Sequence, residues 1–172
     1  SIFPSLPLKK DILIIPVFVD LDKNQILMFS ENKLFTSWNL NIKKYNLLNY
    51  ILPTQDLDDF NIIKKNISNL ETYDFKGITD KYNLDDYIIT IVFRNNNKIR
   101  VFNKIYFNQQ YNLKNLNFYK VNFNNDHDVY QLIDDLKLVY EDYWKAQNEI
   151  NTSVKLSLSI YVNNSNNIKI DK

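Results

Sequence analysis

Asp11-Ile12-Leu13-Ile14-Ile15-Pro16-Val17-Phe18-Val19 is the stretch on which the fold turns. After Asp11 it is apolar without interruption. A strand with one wet face alternates apolar and polar residues, so this run reads as a strand buried on both faces, the central strand of an α/β sheet. Pro16 has no N–H for a ladder and normally sits at edges or bulges, so a bulge or one-sided pairing is predicted there. Working outward, Leu21-Asp22-Lys23-Asn24-Gln25 predicts a turn and Gln25-Ile26-Leu27-Met28-Phe29 a short returning strand. Between Ser30 and Asn49 the pattern weakens. A short helix around Leu34–Trp38 is expected, then a brief strand at Tyr50-Ile51-Leu52-Pro53.

Helical signals follow. Thr54 or Asp56 is placed to cap, Asp58 and Asp59 suit the positive end of the helix dipole, and Lys64 and Lys65 suit the other end. Leu57, Phe60, Ile63, Ile67 and Leu70 recur at helical spacing, which predicts one buried stripe with Lys64 and Lys65 outside it. A second helix over Thr72–Tyr82 would carry Phe75, Ile78 and Tyr82 on one side. It also contains Gly77, read either as a close helix–sheet approach or as a drifted surface position.

The clearest hairpin comes next. Tyr87–Phe93 is rich in β-branched and aromatic residues, Arg94–Lys98 supplies turn formers, and Ile99–Phe107 returns. Leu116–Phe123 adds a predicted edge strand. Asn125 or Asp126 caps a long helix expected through Asn148, with an apolar stripe from Val129 to Tyr143. Thr152–Val162 alternates and predicts a half-buried strand of period two. The whole reads as an α/β or α+β domain over residues 1–151, a mixed sheet flanked by helices. Residues 152–172 are expected to add strands to the same sheet or to begin a following region.

Composition excludes several chemistries. The 172 residues include no Cys, one Gly, one Ala (Ala146), one Met and one His (His127), with 21 Lys+Arg against 20 Asp+Glu. Disulfides, thiolate zinc sites, cysteine nucleophiles and glycine-rich phosphate loops lack their atoms. A net charge of +1 provides no field for nucleic acid or an anionic surface. The abundance of Asn, Ile and Lys is the set favoured by A/T-rich codons, so the short Asn runs read as turns.

Few residues remain to carry chemistry. Asp126-His127-Asp128 has the donors for a weak divalent site, but adjacent helical residues diverge around the axis, which favours a solvated first turn. Asp56-Leu57-Asp58-Asp59 and Asp85-Asp86 offer paired carboxylates, residue types that also serve helix starts. Trp38, Tyr45, Tyr50, Tyr143 and Trp144 could stack on sugars or bases, although core packing accounts for them as well. Phe35 and Trp38 are singled out as binding candidates because they fall in a loop-like region. No catalytic residue, metal site or cofactor is expected.

Ile12-Leu13-Ile14-Ile15-Pro16-Val17, the segment Phe29–Trp38, and Leu52-Pro53-Thr54-Gln55-Asp56-Leu57-Asp58-Asp59 together resemble a proteobacterial domain family of unknown function. Ile78–Ile89 is similar to a helix-then-strand step of exported envelope proteins such as the amino-terminal domain of TolB and the CsgG and LpoB lipoproteins. The likeness implies an anticodon-binding-like α/β fold, a periplasmic location with a signal sequence upstream of Ser1, and a non-enzymatic interaction module binding a protein partner or another copy of itself. Two other classes stay open: a small hydrolase using Asp85, Asp86 or the Asp56–Asp59 cluster, and an intracellular nucleic-acid-binding domain. If the chain binds by strand addition, Leu116–Phe123 and Thr152–Val162 are the expected edges.

Overall fold

In the computed structural model, which describes residues 9–43 and 45–170, the apolar run is β1 (Lys10–Asp20), buried at every position from Ile12 onward. Around it the described residues form a six-stranded sheet. β2 (Gln25–Leu27) and β3 (Leu48–Ile51) share one flank of β1, while β4 (Tyr87–Asn95), β5 (Lys98–Phe107) and β6 (Gln110–Tyr119) follow in order on the other. β3 and β4 run parallel to β1, and the remaining pairs are antiparallel. The fold is α/β with a mixed sheet.

The register explains how a central strand tolerates Pro16. β3 ends opposite Leu13 and β2 ends opposite Phe18, so Ile14–Val17 has no strand on that flank. Pro16 pairs with Thr90 of β4 alone. In an extended strand a residue's N and carbonyl point the same way, so the missing N–H of Pro16 faces the gap, where no ladder needs it. Its carbonyl, pointing there too, accepts from Asn32 Nδ2 at 3.2 Å. Asn32 Oδ1 meanwhile accepts the Leu34 N–H at 3.0 Å and caps α1 (Lys33–Ser37). One buried amide thus fills the gap and starts the next helix. Pairing at Pro16 is one-sided, as predicted.

Helices cover both faces. Leu13, Ile15, Val17 and Val19 form a front face, continued by Ile89 and Ile91 and covered by Ile63, Leu70, Phe75 and Ile78. These come from α2 (Leu57–Lys65), α3 (Lys76–Thr79) and the segment between them. On the back face, Tyr50 registers with Ile12 and meets Trp38 edge-on at 5.8 Å, while Phe18 meets Phe123 at 4.7 Å. In a chain with a single glycine, left-handed turn positions fall largely to asparagine: Asn24, Asn83, Asn96 and Asn108 all have φ between 48° and 55°.

The described residues fall into two compact units divided inside α4 (Asp126–Ile170), after Leu136. In the first, Val129, Leu132, Ile133 and Leu136 form a buried stripe, and ion pairs Lys33–Asp126 (2.8 Å) and Lys43–Asp134 (3.0 Å) hold these turns to the 33–43 segment. The second, from Lys137, is helical through Ile170. No helix among the described residues is long and apolar enough to cross a membrane.

Several expectations are corrected. The strand predicted over Thr152–Val162 is helix. All four prolines and the glycine lie upstream of Asp126, so neither strong helix breaker interrupts a helix once nucleated. The period-two pattern there scatters Leu156, Leu158 and Ile160 around the axis, and all three are exposed. Leu57 is 72% exposed because it opens α2, where the inward position falls to Asp59, held by Lys81. Ile63 is buried and Lys64 and Lys65 are exposed, as the spacing predicts, whereas Phe60 and Ile67, expected buried, are only half-buried. The Thr72–Tyr82 helix shrinks to α3 and one 3-10 turn, leaving residues 72–75 as a non-helical strap of turns and irregular backbone. No atom approaches within 4 Å of a Cβ built on Gly77, so it marks no close approach. The edge strand begins at Gln110, six residues before the expected start, and ends at Tyr119.

Candidate functional site

Strand register places the site. Tyr87, Tyr106 and Tyr111 lie side by side across β4, β5 and β6, and the next row is Ile89, Lys104 and Leu113. Both rows are on the front face, beyond the part that α2 covers. The strap from Glu71 to Phe75 crosses above them, and between strap and sheet lies a pocket of about 440 Å³. Tyr73, Phe75, Ile89 and Leu113 give it apolar walls. This volume is in the range of small-molecule sites, roughly 300–1,000 Å³.

Three polar groups converge on it. Lys104 Nζ donates to the Tyr73 carbonyl and sits 5.4 Å from the centre of the Phe75 ring. Burial pulls the Lys104 ammonium below its usual range, and the charge of Asp74 only partly offsets this. Lys104 forms no ion pair among the described residues. The hydroxyls of Tyr87 and Tyr111 are hydrogen-bonded to each other. Burial first, then the Tyr111 hydroxyl, pushes the Tyr87 phenol well up, so it stays protonated and can donate. Ring packing holds the tyrosines in place: Tyr87 stacks on Tyr106 at 4.8 Å, and Tyr106 meets Tyr111 at 4.7 Å. The neighbouring acids are engaged elsewhere, Asp74 accepting the Lys76 N–H at 3.0 Å and Glu71 paired with Arg100. An ammonium and two phenols above apolar walls suit a flat ligand with one acceptor or anionic group.

The residues singled out from sequence lie elsewhere. Trp38 is fully buried, and Phe35 is half-buried and edge-on to Phe29 at 5.7 Å. A ring with no exposed surface cannot stack on a sugar or base, so the Trp38 candidacy gives way to a core role. Tyr45 is exposed, with Lys43 Nζ 5.9 Å from its ring centre.

The carboxylates do not converge. Asp56 caps α2 through the Asp58 and Asp59 N–H groups, and these contacts together with Lys81 hold its carboxyl below the ordinary range. Asp86 is buried and accepts the Asn108 N–H at 3.1 Å, whereas Asp85 is exposed. His127 is exposed between Asp126, which pairs with Lys33, and Asp128, which accepts the Asn122 N–H.

A second cavity of about 290 Å³ opens at the carboxyl ends of β1 and β4, where open α/β sheets commonly bind ligands. Its buried carboxylate is already spent: Asp20 pairs with Arg94 and accepts the Asp22 and Lys23 N–H groups. Burial pushes the Asp20 carboxyl up, but these contacts outweigh it and leave the group below its usual value. No protein-family model, curated protein or solved structure matches the chain.

Sequence reasoning missed the Lys104 pocket. The signal was present in β5, where period two puts Lys104 between Phe102 and Tyr106, a cation in the middle of an aromatic face. The strap over it was hidden because residues 72–75 read as helix.

Proposed function

We propose that the chain is a non-enzymatic binding module whose pocket takes a small planar molecule bearing a carboxylate or similar acceptor. The observation that carries this reading is Lys104: a partly buried ammonium, without an ion-pair partner among the described residues, in a pocket walled mainly by aromatic and aliphatic side chains, whose lining acids Glu71 and Asp74 are engaged with Arg100 and the Lys76 N–H. Desolvating a charge is unfavourable until an opposite charge meets it, so an anionic ligand gains more here than at a surface lysine. The Tyr87 and Tyr111 hydroxyls, which share one proton in the bond between them, leave one further donor, and the apolar walls accommodate the ligand's body.

The structural engagement of Asp56, Asp59 and Asp86 favours binding over the hydrolase alternative. The envelope location implied by the sequence resemblance is a corollary, tested by fractionating cells that express the full-length protein.

The test of binding is a two-dimensional amide NMR titration with 2-naphthoate, a flat aromatic carboxylate. Saturable shifts confined to the amides of residues 71–75, Tyr87, Ile89, Lys104, Tyr111 and Leu113 are expected. Absence of saturable shifts at millimolar probe, or shifts centred on the Asp20–Arg94 cavity, would overturn the assignment.

A further inference from the structure

β6 closes the sheet among the described residues, and three large apolar or aromatic side chains along it are more than half exposed: Tyr111, Leu113 and Tyr119. A ten-residue edge strand without proline is a template for another strand. We propose that two copies of this chain pair through β6, antiparallel about a two-fold axis at Asn115.

Three observations select a second copy as the occupant. The first is hydrogen-bond phase. β5 and β6 are joined by the two-residue turn Asn108-Gln109, which makes Phe107 and Gln110 a hydrogen-bonded pair. Alternation from there sends the N–H and carbonyl groups of Gln110, Asn112 and every second residue towards β5. Those of Tyr111, Leu113, Asn115, Asn117 and Tyr119 face outward. Pairing about Asn115 matches outward groups with outward groups along the whole strand.

The second observation is the tyrosine row. In this register the partner's Tyr119 falls opposite Tyr111, on the same face, and extends Tyr87–Tyr106–Tyr111 by one ring. Cross-strand aromatic pairs stabilise the pairing of the strands that carry them. The third is charge. Lys114 is the only charged residue of β6, and the register sets it against the partner's Leu116 rather than against its own copy. Like charges directly opposite, the usual guard of an edge, do not arise.

About ten residues a side is less than the 20–30 of a standard interface, so a weak, reversible dimer is expected. Tyr111 and Leu113 also line the pocket, so pairing brings the partner's Tyr119 beside its open rim. Pairing itself does not depend on a ligand.

Sedimentation equilibrium from low micromolar to submillimolar protein tests this, with far-UV circular dichroism to confirm folding. The wild type is expected to be a reversible dimer. Asn115→Pro, which removes an outward N–H and no β5 backbone bond but gives up the 3.4 Å contact from Arg100 Nη1 to the Asn115 side chain, and Asn115→Lys, which sets two ammonium groups on the axis, are each expected to weaken dimerisation at least tenfold. Mixing folded Asn115→Lys with folded Asn115→Glu should restore a dimer by opposite charge. A wild type monomeric throughout the range, or folded variants that dimerise undiminished, would overturn the proposal. So would a Lys/Glu mixture that fails to associate.

Discussion

Replacing Asn32 by Ala tests whether one buried amide is what lets β1 carry Pro16. The Asn32 side chain is 1% exposed and makes two hydrogen bonds, donating to the Pro16 carbonyl and accepting the Leu34 N–H. Losing the helix cap costs about 1 kcal/mol. Leaving a buried carbonyl without its donor costs about 1–3 kcal/mol more. The sum is about 3 kcal/mol, which at a urea slope of roughly 2 kcal/mol/M lowers the unfolding midpoint by about 1.5 M. Urea unfolding followed by circular dichroism reads this directly. Asn32→Asp sharpens the test, because it keeps the cap acceptor and sets a carboxylate oxygen against the Pro16 carbonyl. It should destabilise at least as much as Ala near neutral pH, and less in acid, where the protonated carboxyl donates again. A midpoint for Asn32→Ala within the range of ordinary surface substitutions, about 0.5 kcal/mol, would refute the reasoning.

Three further outcomes follow from the packing and the charges. Burial raises the Asp86 carboxyl above its ordinary 3.8, so the folded state holds a proton the unfolded chain releases and stability falls as pH rises from 3.8 to the raised value; Asp86→Asn, which keeps an acceptor for Asn108, should remove that decline in urea midpoints and be no less stable near neutral pH. Asp20 is shifted the other way, so its stabilisation is present above 3.8 and lost as pH falls through the lowered folded value; Arg94→Met should cost about 2–3 kcal/mol near neutral pH by stranding that carboxylate, and less in acid. Thermal unfolding should separate the two ends of α2, Leu57→Ser staying within about 0.5 kcal/mol of wild type and Ile63→Ala losing about 2–4 kcal/mol.

Much of the sheet was legible because its signals are local. An uninterrupted apolar run marks a doubly buried strand, Asn95-Asn96-Asn97 marks a hairpin, and Pro16 announces its one-sided pairing. Errors arose where two periods fit the same residues. Thr152–Val162 satisfies an alternating template, yet a helix begun at Asp126 meets no glycine or proline that would end it. Leu57 fits the α2 stripe by spacing, but at the first helical position its side chain projects past the edge of the core, and Asp59 with Lys81 takes the inward place. The candidate site was least legible because register creates it. Lys104, Tyr87 and Tyr111 are separated by turns and a strand in sequence and become neighbours only when β4, β5 and β6 align. Trp38 drew attention for the opposite reason: its surroundings look like a loop, and only its full burial against Tyr50 of β3 shows it to be core.

The affinity of 2-naphthoate for the wild type and for Lys104→Met, measured by isothermal titration calorimetry near neutral pH, tests the pocket assignment most directly. Methionine, one atom shorter, keeps most of the apolar stem of lysine and removes the charge and its donors, including the bond to the Tyr73 carbonyl. The ammonium is the reason given for an anionic ligand, so the wild type should bind about tenfold more tightly, a difference of 1.4 kcal/mol, while the uncharged 2-naphthylmethanol should bind both proteins alike. Equal affinity of 2-naphthoate for the two proteins would contradict the account.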